Sequence, residues 1–369
     1  GGRRIAPVLK SNAYGHGLFE TAAVLELHDH IPFFVVDSYF EAVALRAKSF
    51  RTPILIIGYT RPEIIAKAAL KDVAFTVTSM EQLRLFGDHH APCPEYFDQD
   101  DRRRRIFARP HRAHIHLKID TGMRRQGILS GEIDEAIAIL KESEVAVLDG
   151  VCTHFSDADN EDSSFTEAQI AEWNRAVARF RAAFPRLKHA HAAATDGARF
   201  SDDIDADTVR LGIGLYGLSQ NSALDGLGLQ PVMEISTIVT GVKKLAAGET
   251  VGYGNSFAAA KDMTVATIPF GYYEGFDRRM SSGPDGAPRA FVQVGPDRIP
   301  CPIVGRISMN IASIDVTKVP SAAMGTKVVV FSADRYALNS IDATARNSGT
   351  ISYEIAVKIP AHLKRTLVE

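Results

Sequence analysis

The stretch 113-AHIHLKIDTGMRRQGILSGEIDEAIAILKESEVAVLDGVCT-153 decides the fold. Its ends, 113–119 and 147–153, are short runs rich in Ile, Leu and Val, and 131–143 between them has helical character. That is a strand, a helix and a second strand. The same rhythm extends outward in both directions. Strand-like runs lie at 5–10, 33–37, 54–58, 74–78, 187–192 and 208–212, with helix-like stretches at 40–49, 62–70 and 163–184. The runs are continuously apolar rather than alternating, as in strands of a parallel sheet buried on both faces. Within 163–184, Thr166, Ile170, Trp173, Val177 and Phe180 share roughly one helix side, and Asp162-Ser163-Ser164 with Glu167 reads as a capping signal. Alternation on this scale predicts an α/β fold with an N-terminal (β/α)8 TIM-type barrel over 1–225, a doubly wound open sheet being the fallback.

Beyond residue 225 the texture changes. Runs at 233–240, 264–269, 290–294, 312–316 and 327–331 are short, β-branched and separated by Gly, Pro and Asp. They predict a C-terminal mostly-β domain over 226–369, with the boundary in the Ser-, Asn- and Gly-rich 219–228. No internal repeat is visible. One stretch, 87–112, breaks the barrel rhythm with three His, a Cys, three Pro and the run Arg102–Arg105. It reads as a solvated insertion. His89, His90 and Cys93 lack a conventionally spaced fourth ligand, so no metal site is expected.

Composition narrows the function classes. Across 369 residues, 42 Lys plus Arg against 44 Asp plus Glu leave a formal charge of −2, which argues against nucleic acid as a partner. No apolar run approaches membrane-spanning length. The 3 cysteines, Cys93, Cys152 and Cys301, are too few for a disulfide framework and fit a reducing compartment. A cytoplasmic enzyme is the expectation. The opening Gly1-Gly2-Arg3-Arg4, without an initiator Met, suggests a trimmed or incomplete N-terminus.

In a barrel, chemistry sits where strands end. Lys10, Lys118, His154, Thr195 and Arg210 all fall at or near such ends. On position alone, Lys10 reads either as a snorkelling strand-end lysine or as one with a lowered pKa suited to Schiff-base or general-base chemistry. Tyr272 beside Tyr273 reads as a half-buried aromatic pair, His154 as a core histidine and Arg210 as a rim arginine.

The decapeptide Val8-Leu9-Lys10-Ser11-Asn12-Ala13-Tyr14-Gly15-His16-Gly17 resembles the pyridoxal-phosphate attachment segment of the alanine racemase family, departing from it only at Ser11. Further segments resemble the family in the same order: HLKIDTGMRRQG (116–127), THFSDAD (153–159), VRLGIGLYG (209–217), TIPFGYYEG (267–275), VGRISMN (304–310) and the Tyr353-Glu354 pair. The resemblance covers nearly the whole chain except 87–112. It implies a homodimer in which a barrel carries pyridoxal 5'-phosphate and the C-terminal domain helps complete the partner's site.

By that resemblance Lys10 holds the cofactor as an aldimine and serves as one catalytic base. Tyr272, acting from the partner subunit, serves as the other. Two bases are needed because a proton leaves one face of a planar carbon and returns to the other. Arg210 is implied to meet the pyridine nitrogen, with His154 beside it to pass its charge toward Tyr272. Arginine keeps its proton, so the ring becomes a weaker electron sink, which favours reprotonation at Cα over transamination. Tyr14, Thr195, Tyr353 and the amides of Gly212 and Ile213 are implied to hold the phosphate. Arg125 and the Met309 amide would bind the substrate carboxylate, and Lys118 stands where many members carry a carbamylated lysine. Plain Lys118 next to Arg125 would call for an anion between them.

The implied reaction is the interconversion of L- and D-alanine, supplying D-alanine for peptidoglycan. Three departures stand out: only nine residues precede Lys10, Ala194 replaces a common Asn, and Asn310 replaces the usual Asp. The last leaves serine or a broader set of amino acids open as substrates. Two other classes compete. A non-catalytic pyridoxal-phosphate carrier needs no second domain bearing Tyr272 and Met309. A related decarboxylase would place an acid, not Arg210, at the pyridine nitrogen and would use a glycine-rich phosphate loop.

Overall fold

The computed structural model describes residues 2–67, 70–86, 112–219, 221–282 and 287–368. Apart from Arg112, the segment read as an insertion, with His89, His90 and Cys93, lies outside the described residues. The chain forms two compact units: Gly1–Ser11 with Thr21–Gly212, and Asn12–Glu20 with Ile213–Glu369.

The first unit is a barrel of eight parallel strands: β1 (Arg4–Pro7), β2 (Phe34–Val36), β3 (Ile54–Ile56), β4 (Val73–Val77), β5 (Ala113–Lys118), β6 (Ala146–Cys152), β7 (His189–His191) and β8 (Thr208–Leu211). The spatial order is β1-β8-β7-β6-β5-β4-β3-β2. A parallel bridge between Val8 and Val35, with the Leu9 amide donating to the Val35 carbonyl at 2.7 Å, brings the two ends together. Phe34, Val35, Val36, Leu55, Ile56 and Leu117 are fully buried, which is why these runs are apolar at every position.

Each predicted strand is present, most of them shorter than the apolar run. The first departs most. It ends at Pro7, and Lys10 opens α1 (Lys10–Tyr14), a single turn. That turn is left-handed, for Ser11, Asn12, Ala13 and Tyr14 have φ of 56°, 56°, 53° and 51°. The remaining barrel helices are α2 (Leu18–Leu25), α3 (Tyr39–Ala47), α4 (Pro62–Lys67), α5 (Met80–Arg84), α6 (Ile133–Glu142) and α7 (Ser164–Ala183). Helix α7 buries Thr166, Ile170, Trp173, Val177 and Phe180, the stripe expected from spacing. Its cap differs from the simplest expectation. Asp162 accepts the Ser164 amide at 3.0 Å, while Ser163 turns its hydroxyl to Glu167.

The second unit is built on a seven-stranded sheet. Its strands are β9 (Ile235–Ile238), β10 (Gly241–Leu245), β13 (Met263–Ile268), β14 (Phe291–Val294), β15 (Ile299–Val304), β16 (Ala312–Asp315) and β17 (Lys327–Phe331), in the order β10-β13-β16-β15-β14-β17-β9. A small ribbon pairs β11 (Thr250–Val251) with β12 (Phe257–Ala258). Val251, Ala259, Met263, Val265 and Val304 form one apolar cluster; Phe270, Phe276 and Phe331 stack edge-on in another. Sequence texture missed β10, β11, β12 and β15, whose polar or proline-interrupted residues hide the pattern. Two helices close the chain, α8 (Ile341–Asn347) and α9 (Ser352–Val357). Among the described residues no helix is long and apolar enough to cross a membrane.

Candidate active site

The barrel strands bring polar side chains together at their C-terminal ends. Lys118 closes β5, His154 lies two residues past β6, and Arg210 is the penultimate residue of β8. Lys10 follows β1 at the start of the left-handed turn. A left-handed residue other than glycine costs roughly 1–2 kcal/mol, so four in succession store on the order of 4–8 kcal/mol. Such strain persists only where surrounding structure enforces it, and it gathers at functional sites. Here the enforcement is visible within the second unit. The Gly17 amide reaches the Asn12 carbonyl at 3.0 Å, and the Leu18 amide reaches Asn12 Oδ1 at 3.0 Å. Gly15 passes so near Ala356 that a Cβ would stand 2.0 Å from its carbonyl oxygen. Tyr14 packs against Tyr216 and Tyr353, at ring separations of 5.3 and 5.9 Å.

Arg210 is the most heavily engaged residue of the barrel mouth. Its side chain is buried, with Nη1 donating to the His191 carbonyl at 2.8 Å and Nη2 to the carbonyls of Thr153 and Ala192 at 2.7 and 2.9 Å. Nη1 also meets His191 Nδ1 at 2.6 Å, and Nη2 meets His154 Nδ1 at 3.3 Å. All five contacts use the two Nη groups. Among the described residues the Nε–H makes no hydrogen bond and no carboxylate pairs with the guanidinium. Removing the side chain would strand three acceptors, the Thr153 and Ala192 carbonyls and His191 Nδ1, each worth about 1–3 kcal/mol when left unpaired in the interior; the His191 carbonyl keeps the Thr153 amide. Arg210→Ala is therefore expected to lower the unfolding free energy by on the order of 3 kcal/mol or more. Urea unfolding checks this, and unchanged stability would mean these acceptors find water instead.

Behind Arg210 lies a buried pair of imidazoles. His191 Nε2 is 2.7 Å from His116 Nδ1. A guanidinium can only donate, so His191 Nδ1 accepts, its proton sits on Nε2, and His116 Nδ1 must accept in turn. Burial first, and then neighbouring positive charge, holds both rings well below the usual imidazole range. Gly150 makes the space, since a Cβ there would lie 2.6 Å from His116 Nδ1. His154 is pulled down to about 3, chiefly by burial and then by Arg210, Lys118, Arg125 and Lys10. His189 falls to about 4 through burial and then Arg4.

These four histidines give a signed prediction. Their folded pKa values lie below the unfolded value of ~6.5, so the unfolded chain binds more protons as acid is added. Their contribution is fully present above pH ~6.5 and is lost as pH falls from there through about 4 and about 3. Urea midpoints should decline between pH 7 and pH 4.5 with an uptake of more than one proton; a flat profile would contradict neutral buried rings.

The remaining predicted residues fall into separate environments. Lys118 donates to Gln126 Oε1 at 3.1 Å, and burial is the main force lowering its pKa. An uncharged amide, not an anion, is thus its hydrogen-bond partner among the described residues. Arg125 is exposed and makes no hydrogen bond or ion pair among the described residues. Thr195 is buried beyond β7. The amides of Gly212 and Ile213, in a buried segment just past β8, donate to no acceptor among the described residues.

In the second unit, Tyr353 sits on α9, which a charged network holds in place. Arg279 bridges Asp277 and Glu354 at 2.8 Å each, and Lys358 contacts both acids. Tyr272 and Met309 are 43% and 55% exposed. Their backbones are adjacent, the Tyr272 amide donating to the Ser308 carbonyl at 3.1 Å and the Tyr273 amide to the Met309 carbonyl at 2.9 Å.

Sequence reasoning passed over His116, His191 and Gln126. The signal was the spacing His114-x-His116-x-Lys118 on β5 and His189-x-His191 on β7, which sends alternate residues to one strand face.

Comparison with known proteins adds an independent line. A family model described as "Alanine racemase, N-terminal domain" matches residues 1–220, and one described as "Alanine racemase, C-terminal domain" matches 232–367. A curated protein named alanine racemase 2, from Oceanobacillus iheyensis, is 31% identical over 365 residues, covering 98% of this chain and 86% of its own. The crystal structure of an alanine racemase from E. faecalis superposes with a TM-score of 0.81 at 26% identity, over 98% of this chain and 90% of that one. A histidine racemase from Leuconostoc mesenteroides superposes with a TM-score of 0.82 at 25% identity, over 100% of this chain and 92% of its own.

Proposed function

This chain belongs to the alanine racemase family and is an amino-acid racemase, and from that premise we propose that it interconverts L- and D-alanine with pyridoxal 5'-phosphate. The observation that carries the reading is Arg210. A buried, always-charged guanidinium with its Nε–H unclaimed suits a pyridine nitrogen that is to receive a hydrogen bond but not a proton. The unclaimed amides of Gly212 and Ile213 suit a phosphate, with the hydroxyls of Thr195, Tyr14 and Tyr353 as further donors. Pyridoxal phosphate, when bound, supplies an electron sink for the bond broken at the substrate's Cα.

The chain's own groups do the rest. Lys10 anchors the cofactor through Nζ and moves a proton on one face of Cα. Tyr272 moves a proton on the opposite face through its hydroxyl. His154, neutral and accepting from Arg210 through Nδ1, holds that guanidinium in place and leaves its own Nε2 proton to hand on. Arg125, free of other partners among the described residues, orients the substrate carboxylate together with the Met309 amide. Lys118 braces this corner through Gln126, and a carbamate on its amine belongs to the same proposal. The exposure of Tyr272 and Met309 supports a homodimer in which each chain lends these residues to its partner. A division at 225/226, a cytoplasmic setting and D-alanine supply for peptidoglycan complete the reading.

The test is Cα–hydrogen exchange. Protein with pyridoxal phosphate is incubated in D2O with L-alanine and, separately, D-alanine, following deuterium uptake and optical rotation together. Deuterium uptake with loss of rotation from both enantiomers is expected; no exchange with either would overturn alanine as the substrate. Asn310 and the histidine racemase likeness favour a second reading with a broader substrate range, so serine and histidine belong in the same panel. Small pockets discriminate a methylene by only ~1–3 kcal/mol.

A further inference from the structure

Strands β13 and β16 pair antiparallel with Ile268 opposite Ala312, so the loop that follows β13 and the loop that precedes β16 emerge side by side. The first carries Gly271–Gly275 and the second Ser308–Ile311. They touch along their backbones. A Cβ on Gly271 would stand 2.3 Å from the Met309 carbonyl oxygen and 2.4 Å from that of Ser308, so only glycine permits the approach. Next to it the Tyr272 and Tyr273 amides donate across to Ser308 and Met309.

One side-chain bond spans the same two loops. Asn310 Nδ2 donates to Glu274 Oε1 at 2.7 Å, while Glu274 Oε2 accepts the Gly271 amide at 2.8 Å. The Glu274 and Phe276 amides return to the Gly271 carbonyl and close the turn on which Tyr272 rides. One carboxylate thus ties its own turn with one oxygen and the facing loop with the other. A carboxylate can only accept, so position 310 must donate, which an amide does and an ionised acid does not.

We propose that Asn310 and Glu274 are positioning residues, clamping the Tyr272 turn in register with the Met309 loop. The proposal rests on the roles given above to Tyr272 and Met309. It assigns to Asn310 a function separate from the substrate preference considered above. The fixed quantity is the separation between an acid/base hydroxyl and the amide that orients the substrate carboxylate. A misplacement of ~1 Å in such a constellation costs up to about 10²-fold in rate.

The test compares the parent, Asn310→Asp, and the double variant Asn310→Asp with Glu274→Gln. In the first variant two carboxylates face each other. In the second the glutamine donates to the new carboxylate and still accepts from Gly271. Two readouts are taken on the full protein: backbone amide exchange of the 270–276 peptide, and Cα–hydrogen exchange of each alanine enantiomer. Asn310→Asp should speed amide exchange in that peptide and slow racemisation by ~10–10²-fold. Cα exchange of one enantiomer should fall and that of the other persist, since only one of two opposed bases is displaced. The double variant should restore both readouts. Unchanged amide exchange in Asn310→Asp would overturn the clamp. Faster amide exchange with equal loss for both enantiomers, or no rescue in the double variant, would overturn the positioning role. A parent that neither exchanges nor racemises alanine, yet shows the amide response and its rescue, would overturn the functional reading and its positioning corollary while establishing the clamp.

Discussion

Lys10→Ala is expected to abolish the visible absorbance of lysine-bound pyridoxal phosphate and to reduce racemisation by at least ~10⁴-fold. One substitution removes both the covalent anchor and a catalytic base, and a base alone is worth typically ~10²–10⁴. The loss should not come from misfolding. The left-handed φ angles begin at Ser11, so alanine at position 10 meets no added backbone strain. Borohydride treatment followed by mass measurement gives the sharpest check. The parent should gain the reduced cofactor on the peptide containing Lys10, and the variant should stay unlabelled. Equal labelling of the variant would remove Lys10 from its role.

Tyr272→Phe should leave cofactor binding and thermal stability at parental levels while cutting turnover ~10²–10⁴-fold, or about 3–5 kcal/mol of barrier. The structure makes this a clean deletion. Tyr272 is exposed, its backbone amide supplies its hydrogen bond to Ser308, and its hydroxyl has no partner among the described residues. Phenylalanine keeps the ring and the turn, and removes only the proton-moving group. The signature is asymmetry. Cα–hydrogen exchange should persist for the enantiomer handled from the Lys10 face and fall for the other. Parental racemisation by Tyr272→Phe would end the two-base assignment.

Much of this architecture is legible in the sequence. Continuous apolar runs separated by amphipathic ones marked the parallel barrel, because strands covered on both faces admit few polar residues. Helix α7 showed its buried stripe through spacing alone. Lys118, His154 and Arg210 stood out because strand ends are where a barrel can afford polar side chains. The second unit was less legible. The exposed Gly241–Leu245 and the proline-bearing Ile299–Val304 do not look like strands, and only their pairing partners make them so.

Several site features could not be read locally at all. Local preferences argue against four consecutive left-handed residues, and the turn after Lys10 is held by Asn12 and by the packing of Tyr14 against Tyr216 and Tyr353, where Gly15 closely approaches Ala356. The tautomer of His191 follows from a guanidinium that reaches it from another strand, and that of His116 follows in turn from His191. Asn310 finds Glu274 through a sheet register.

Periodicity, strand-end chemistry and the ordered family motifs were enough for the barrel, the β domain and the kind of reaction, since these depend on residue type and spacing along the chain. Which proton sits on which imidazole, which backbone is strained and which loop clamps another were decided in three dimensions. Each depends on a distance between residues far apart in sequence, and such distances exist only once the sheets have closed.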